Sequence, residues 1–442
     1  MLEDSVKNIQ IKHRLGVPIT TVLALAFAFA SASLNAASIH DVAGDKSPRL
    51  TALTDRAANP KAEAEFWDEI GMHAPLVETI AEDRNLRRVT LLWRGSNDTT
   101  RVAVLGGLPG ANLIKPMMRL GVTDVWYLTE IHSSKARFQY AFQVNGPEIM
   151  PMEYAPMMKA FAENPPRRDP ANARVYGGWS YVELPDAPPQ PWITKQANVP
   201  EGRRREEKFK SRTLNDEYPL SIYTPAGYEK EHRKCWLMIA FDGGFQMMDV
   251  TLDNLLAAGK IPPIVVVGVR NIKSLPRKQA LDCSDEFAKF LADELVPWAR
   301  KTYGVYDDSS HTIIGGSSLG GKMATYCGLK YSGIFGKVLS QSGSFLTAAK
   351  QESPTPVWNG EPPGMLTALF LENPRLPLEF YIEVGRYETT LAFSPLLETR
   401  RLRDVLRGKG YRVTYSEYDG GHNEVCWRGS FADAVMALAS ER

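Results

Sequence analysis

Ser318 stands in Gly316-Ser317-Ser318-Leu319-Gly320, a Gly-x-Ser-x-Gly spacing. That spacing suits a nucleophile at the apex of a sharp strand-to-helix turn. The glycines let strand and helix approach, the strained apex exposes the hydroxyl, and the helix N-terminus favours negative charge. Ser317 is out of register, because Leu319 stands where it would need glycine. A plain small-residue loop can match so short a pattern, so the partners matter. A serine hydroxyl needs a base to take its proton. His422, in Asp419-Gly420-Gly421-His422-Asn423, is the only histidine after Ser318. The order Ser, acid, His then requires an acid between them. There is no aspartate between Ser318 and Arg403, so glutamate must serve. Glu383 falls inside a strand pattern and Glu388 just past it, where the acid is expected, so Glu388 is the candidate. An oxyanion hole needs the N–H of Leu319 and one from an earlier loop. Asp242-Gly243-Gly244-Phe245 offers that loop, with Gly244 or Phe245 as donor. The chemistry is acyl transfer without a cofactor. No His-Glu-x-x-His, Cys-x-x-Cys or P-loop spacing points to a metal or nucleotide.

The elements that must hold these groups lie in the C-terminal half. Residues 220–224, 235–241, 263–268, 313–316, 337–341, 378–384 and 411–417 read as strands. Helices are predicted at 252–258, 287–303, 322–327, 395–409 and 431–440. Continuous apolar strands alternating with helices predict a parallel sheet covered on both faces, an α/β architecture. The N-terminal half differs. A helix near Phe66-Trp67 and strands at 89–94, 100–105, 125–128 and 138–143 predict a small antiparallel sandwich. Proline-rich stretches at 164–170 and 185–192 mark the boundary between the two. The charged run at 203–208 reads as a solvated surface. These divisions give a leader over 1–36, a sandwich with its linker over 37–198 and a catalytic domain over 199–442.

At 442 residues the chain is long enough for more than one core. Its 52 basic and 51 acidic residues nearly cancel, which gives no global basis for nucleic-acid binding. Lys7, Lys12, His13 and Arg14 precede the uncharged run 15–32, and small residues follow. This is the pattern of a cleaved export signal, with Ala30-Ser31-Ala32 or Ala36 at the cleavage site. The strongly apolar part is shorter than the ~20 residues a membrane span needs, so no stable span is expected in the mature chain. A periplasmic location follows. Export permits disulfides among Cys235, Cys283, Cys327 and Cys426, and buried free thiols are the other reading.

The combined pattern resembles the enterochelin (enterobactin) esterases, siderophore trilactone hydrolases among the esterase-D-like α/β-hydrolases. The likeness runs through Phe66-Trp67, Leu92-Trp93-Arg94, Thr123-Asp124-Val125-Trp126-Tyr127 and Pro188-Pro189-Gln190-Pro191-Trp192. It continues through Asp242-Gly243, Glu294-Leu295-Val296-Pro297-Trp298, the Ser318 turn, Gly420-Gly421-His422 and Trp427. The resemblance implies an immunoglobulin-like sandwich ahead of an α/β-hydrolase domain. It also implies hydrolysis of the ester bonds of a catecholate siderophore, ferric or iron-free. A ferric catecholate is anionic and aromatic, so cationic and aromatic groups are expected at its site. Arg277 matches a family position associated with substrate, Trp427 could supply an aromatic wall, and Arg386 is a further addition. Feruloyl or acetyl-xylan esterases share the catalytic fold, and a non-catalytic siderophore binder could use the same scaffold.

Overall fold

The computed structural model describes residues 47–440 except 57–58, 110–113, 149–153, 232–233, 243–247, 272–273, 346–363 and 390–393. The expected leader lies outside the described residues. Among the described residues, no helix is long and apolar enough to cross a membrane.

The N-terminal strands are β1 (Leu76–Thr79), β2 (Leu86–Arg94), β3 (Val102–Gly106), β4 (Ile114–Pro116), β5 (Met118–Arg119), β6 (Val125–Ser133), β7 (Arg137–Val144), β8 (Val175–Tyr176) and β9 (Trp179–Glu183). They form one sheet in the order β1-β2-β6-β5 and another in the order β4-β3-β7-β9-β8, with antiparallel pairing throughout. The period-2 side-chain alternation of a strand explains the layering. Val89 and Leu91 of β2 meet Phe138, Tyr140 and Phe142 of β7 in the core between the sheets. Leu92 points the other way, under the helices Pro48–Asp55 and Ala62–Ile70. This is an immunoglobulin-like sandwich. The second proline-rich stretch does not simply connect. β9 ends beside it and pairs with β7, and Trp192 packs into the core of the catalytic sheet.

The catalytic sheet comprises β10 (Arg203–Ser211), β11 (Asp216–Thr224), β12 (Trp236–Phe241), β13 (Ile264–Val269), β14 (Thr312–Ser317), β15 (Lys337–Gln341), β16 (Glu379–Gly385) and β17 (Arg412–Tyr418). The order is β10-β11-β13-β12-β14-β15-β16-β17, parallel from β13 to β17 and antiparallel at β10 and β11. Leu237, Ile239 and Phe241 of β12 enter the core on one face, and Trp236, Met238 and Ala240 the core on the other. Both faces are therefore covered, as the apolar runs predict, and the fold is that of an α/β-hydrolase.

Three elements differ from the expectation. The charged run forms β10, the edge strand, where alternate side chains reach water and charge discourages further strand pairing. The helix predicted over 287–303 is divided into Asp285–Phe290, a π turn at Leu291–Leu295, and Val296–Tyr303. Pro297 lacks the N–H that would continue a regular ladder there. The last helix begins at Glu424, not near 431, and runs to Leu438. Its first turns bury Trp427 and Arg428 against polar partners, so no apolar periodicity announces them. The four cysteines are free thiols, and burial pushes the Cys235 thiol up to about 11.

Candidate active site

The turn after β14 places Ser318 at φ 58°, ψ −124°, immediately before the helix Leu319–Lys330. That is a left-handed conformation that side chains other than glycine rarely adopt. Its N–H donates to the Gln341 carbonyl at 2.9 Å, which ties the apex to β15. The neighbouring glycines are needed for space. A Cβ on Gly316 would lie 3.0 Å from the Gly320 carbonyl carbon, and one on Gly321 would lie 2.5 Å from Ser340 Oγ. The Ser318 hydroxyl lies 3.3 Å from Ser344 Oγ, its hydrogen-bond partner among the described residues.

Glu388 and His422 come from the loops after β16 and β17, the two strands at the edge of the parallel run. Parallel pairing brings those strand ends side by side, so residues far apart in sequence converge. His422 Nδ1 and Glu388 Oε2 are 2.7 Å apart. The carboxylate holds the proton on Nδ1, which leaves Nε2 as the basic nitrogen. The Glu388 side chain is 1% exposed. Its Oε1 accepts from Ser342 Oγ at 2.5 Å and from the Gly385 N–H at 2.8 Å. Burial pushes this carboxyl up, but the charge and hydrogen bond of His422, with those of Ser342 and Gly385, outweigh it and hold it below the usual range. The acid is therefore kept ionised beside its histidine.

Ser342, Tyr418 and Trp427 brace the acid. Trp427 Nε1 donates to Ser342 Oγ and to Tyr418 OH, both at 3.0 Å. The indole also packs edge-on against His422, ring centroids 4.9 Å apart. Glu383, the other candidate acid, is fully buried in β16 and bonded elsewhere, to Gln341, Ser430 and Tyr381. Burial pushes its carboxyl up to about 7.

A cavity of 420 Å³ opens over this constellation, lined among others by Ser318, His422, Trp427, Asp242, Arg277 and Met248. Leu319 begins the helix behind Ser318, with its N–H among the orphan donors of that terminus. Gly244 and Phe245 lie outside the described residues. The arrangement offers the groups acyl transfer needs: a half-buried hydroxyl on the cavity wall, an oriented imidazole, a fixed anion and a helix N-terminus.

The sandwich helps to position the histidine. Arg137 N–H donates to the Asp419 carbonyl at 2.9 Å, and Ser133 Oγ to Asp419 Oδ2 at 2.7 Å. A Cβ on Gly421 would lie 2.4 Å from Gly107 Cα, and one on Gly420 would lie 2.4 Å from the Arg137 carbonyl oxygen. The two glycines before His422 therefore permit close docking of its loop on β3 and β7.

A family model described as "Putative esterase" matches residues 211–438, and one for the enterochelin esterase N-terminal domain matches residues 88–193. The chain belongs to the enterochelin esterase family. It is a carboxylic-ester hydrolase. It is 27% identical over 429 residues to an iron(III) enterobactin esterase of Dickeya dadantii, covering 86% of this chain and 94% of that protein. The iron(III) enterobactin esterase of Yersinia enterocolitica is 30% identical over 314 residues, 63% of this chain and 88% of that protein. Among solved structures, the ferric enterobactin esterase of Salmonella typhimurium superposes with a TM-score of 0.67 at 25% identity, covering 85% of this chain and 98% of that one.

The substrate-side residues suggested by likeness to enterochelin esterases are placed unequally. Arg277 lines the cavity, with Nε and a terminal nitrogen 2.7 and 2.8 Å from the two carboxylate oxygens of Asp242. Its partner is thus Asp242 at the end of β12, itself at φ 59°. Trp427 lines the cavity too, but it is buried and its N–H bonds Ser342 and Tyr418, the hydroxyls beside Glu388. Arg386 lies in a separate cleft beside Lys135 and Gln190, where it bonds Asp419 at 2.8 Å. Sequence reasoning missed Ser342, Tyr418 and Asp242. Only the pairing of neighbouring strands brings the first two to the acid, and Asp242 was noted only as part of a glycine turn.

Proposed function

We propose that this enterochelin esterase relative hydrolyses the ester bonds of a catecholate siderophore trilactone, ferric or iron-free, with Ser318 as nucleophile, His422 as base and Glu388 as orienting acid. The observation that carries this reading is the buried, anchored Glu388 carboxylate 2.7 Å from a histidine that shares a cavity with Ser318. The relatives named iron(III) enterobactin esterase and iron(III) salmochelin esterase support the substrate class.

In this mechanism Ser318 Oγ attacks the ester carbonyl while His422 Nε2 takes its proton. The oxyanion is held by the Leu319 N–H and one from Gly244 or Phe245. Collapse expels the alcohol, which takes the proton from His422 and leaves an acyl-serine. Water, deprotonated by His422, then attacks the acyl carbon and regenerates Ser318. Arg277 faces the anionic catecholates as a planar, forked donor, in competition with Asp242. Trp427 packs edge-on against His422, and the ferric ion travels as cargo.

Incubation with enterobactin should yield linear trimer, dimer and monomer by mass, and Ser318→Ala should abolish them by several orders of magnitude while retaining ligand. Absence of ring-opened product from the wild-type protein would reject the reading. The basic residues 7–14 and the uncharged run 15–32 support export to the periplasm. The mature chain should then begin between Ser31 and Ser38 and be released by osmotic shock. An intact Met1 terminus in the cytosol would refute that.

A further inference from the structure

The glycines before His422 seat the histidine loop on the sandwich, and the loop of the acid has an anchor of its own there. Tyr387 directly precedes Glu388. Its backbone belongs to the catalytic domain. The Tyr387 N–H donates to the Gly420 carbonyl at 3.0 Å, and the Glu388 N–H to the Gly385 carbonyl at 3.1 Å. Its half-buried ring instead packs against the core between the two sandwich sheets. The ring centroid lies 5.5 Å from that of His132 in β6 and 6.4 Å from that of Phe138 in β7. The hydroxyl lies 3.3 Å from His132 Nδ1.

The pocket that receives the ring is itself well fixed. His132 is buried and stacks on Phe138, ring centroids 4.8 Å apart. Burial and the charge of Lys115 push its imidazole down to about 3, so the ring is neutral, with one donor and one acceptor nitrogen. Glu130 Oε2 lies 3.5 Å from Nε2, which favours the proton there and leaves Nδ1 to accept from the Tyr387 hydroxyl. Arg386, on the other side of Tyr387, is exposed and turns to Asp419 and Glu417. Consecutive side chains therefore enter different domains: Tyr387 the sandwich core, and Glu388 the buried site behind His422. Within the catalytic domain, Ser342 and the Gly385 N–H hold one carboxylate oxygen of Glu388. The Tyr387 ring holds the same turn from the sandwich side.

We propose that Tyr387 is a positioning residue for the triad acid: its ring, seated in the sandwich pocket of His132 and Phe138, fixes the Gly385–Glu388 turn so that the carboxylate meets His422. The proposal rests on the reading of Glu388 as the orienting acid. The sandwich then acts on the reaction through the acid as well as through the histidine loop, without touching substrate.

A double-mutant cycle in the full chain tests this, read as kcat and KM on p-nitrophenyl acetate, a neutral ester that reports the triad without the siderophore. Tyr387→Ala should lower kcat by about a hundredfold, the typical cost of misplacing a catalytic group by about 1 Å, with KM little changed. Tyr387→Phe keeps the ring and loses only the hydroxyl bond, so it should stay within about tenfold of wild type. In a Glu388→Gln background, Tyr387→Ala should cost less than about threefold more, because the charge it positions is already gone. A residue that only supports the fold would lower the melting temperature and take the same factor from both backgrounds. Equal factors therefore overturn the proposal, as does wild-type kcat in Tyr387→Ala. Should Tyr387→Ala fail to fold, Tyr387→Leu fills the pocket without a flat ring and carries the same comparison. Near-wild-type kcat in Glu388→Gln alone would reject Glu388 as the acid and the proposal with it, so the two failures are read from different variants.

Discussion

The middle of β16 and the loop at its end each bury a glutamate, and the two carboxyls end in opposite states. Glu383 accepts from Gln341, Ser430 and Tyr381, all neutral donors, and burial pushes it up to about 7. Glu388 is buried almost as deeply, yet it is held below the ordinary range by His422, Ser342 and the Gly385 N–H. Burial alone favours the neutral acid. The His422 ring on Oε2, together with the Ser342 hydroxyl and the Gly385 N–H on Oε1, reverses the balance. A triad acid must be an anion to orient its imidazole, so only the loop position supplies one.

Exchanging the two acids tests the contrast most directly. Glu388→Gln should lower kcat by about three to four orders of magnitude, the typical effect of losing the imidazole's orienting charge. Glu383→Gln should stay within a few-fold of wild type. A large kcat loss in the Glu383 variant, or a small one in the Glu388 variant, would exchange their roles.

Stability against pH separates them in a second way. Glu383 has a folded value near 7, above its ordinary 4.5, so between those limits the folded state holds the extra proton. Its contribution to stability is present at low pH and lost as pH rises through that window, by roughly 3 kcal/mol. Glu388 is depressed, so its contribution is present above the ordinary value and lost as pH falls through its folded one. Melting curves between pH 5 and pH 8 should therefore flatten in Glu383→Gln, and a wild-type slope in that variant would refute the assignment.

Ser342 should have a smaller effect. Its hydroxyl bridges Glu388 and Trp427, and its backbone sits at φ 49°, where glycine is at ease. Ser342→Gly removes the hydroxyl without adding strain and should reduce kcat by about tenfold, one hydrogen bond's worth. Unchanged kcat would show that Gly385 and His422 hold the acid without it.

The two arginines separate on substrate charge, and Arg386 has the smallest effect. Arg277→Ala should raise KM for a ferric catecholate by about tenfold more than for a neutral p-nitrophenyl ester. Arg386→Ala, on the separate cleft, should change both by less than threefold. Equal losses on both substrates in Arg277→Ala would make Arg277 a support for the Asp242 turn.

Much of the catalytic half was legible from local chemistry. The Ser318 turn announced itself because a strained apex demands glycines at set offsets, and His422 because the chain offers no other histidine after the serine. Continuous apolar strands identified a sheet covered on both faces. Glu388 was legible by its place just past a strand, though only geometry shows the histidine against it rather than Glu383. The start of the last helix was illegible, because Trp427 bonds Ser342 and Tyr418 and Arg428 bonds Gln190 instead of forming an apolar stripe.

Sequence spacing determined which groups could react, since nucleophile, base and turn glycines are local requirements. Tertiary structure decided which of two glutamates is the anion, which carboxylate Arg277 meets, and that Arg386 belongs to another cleft. It also decided that the glycines before His422 serve docking on the sandwich. These outcomes depend on burial and on partners brought together from distant strands, and neither is encoded in the spacing of any single segment.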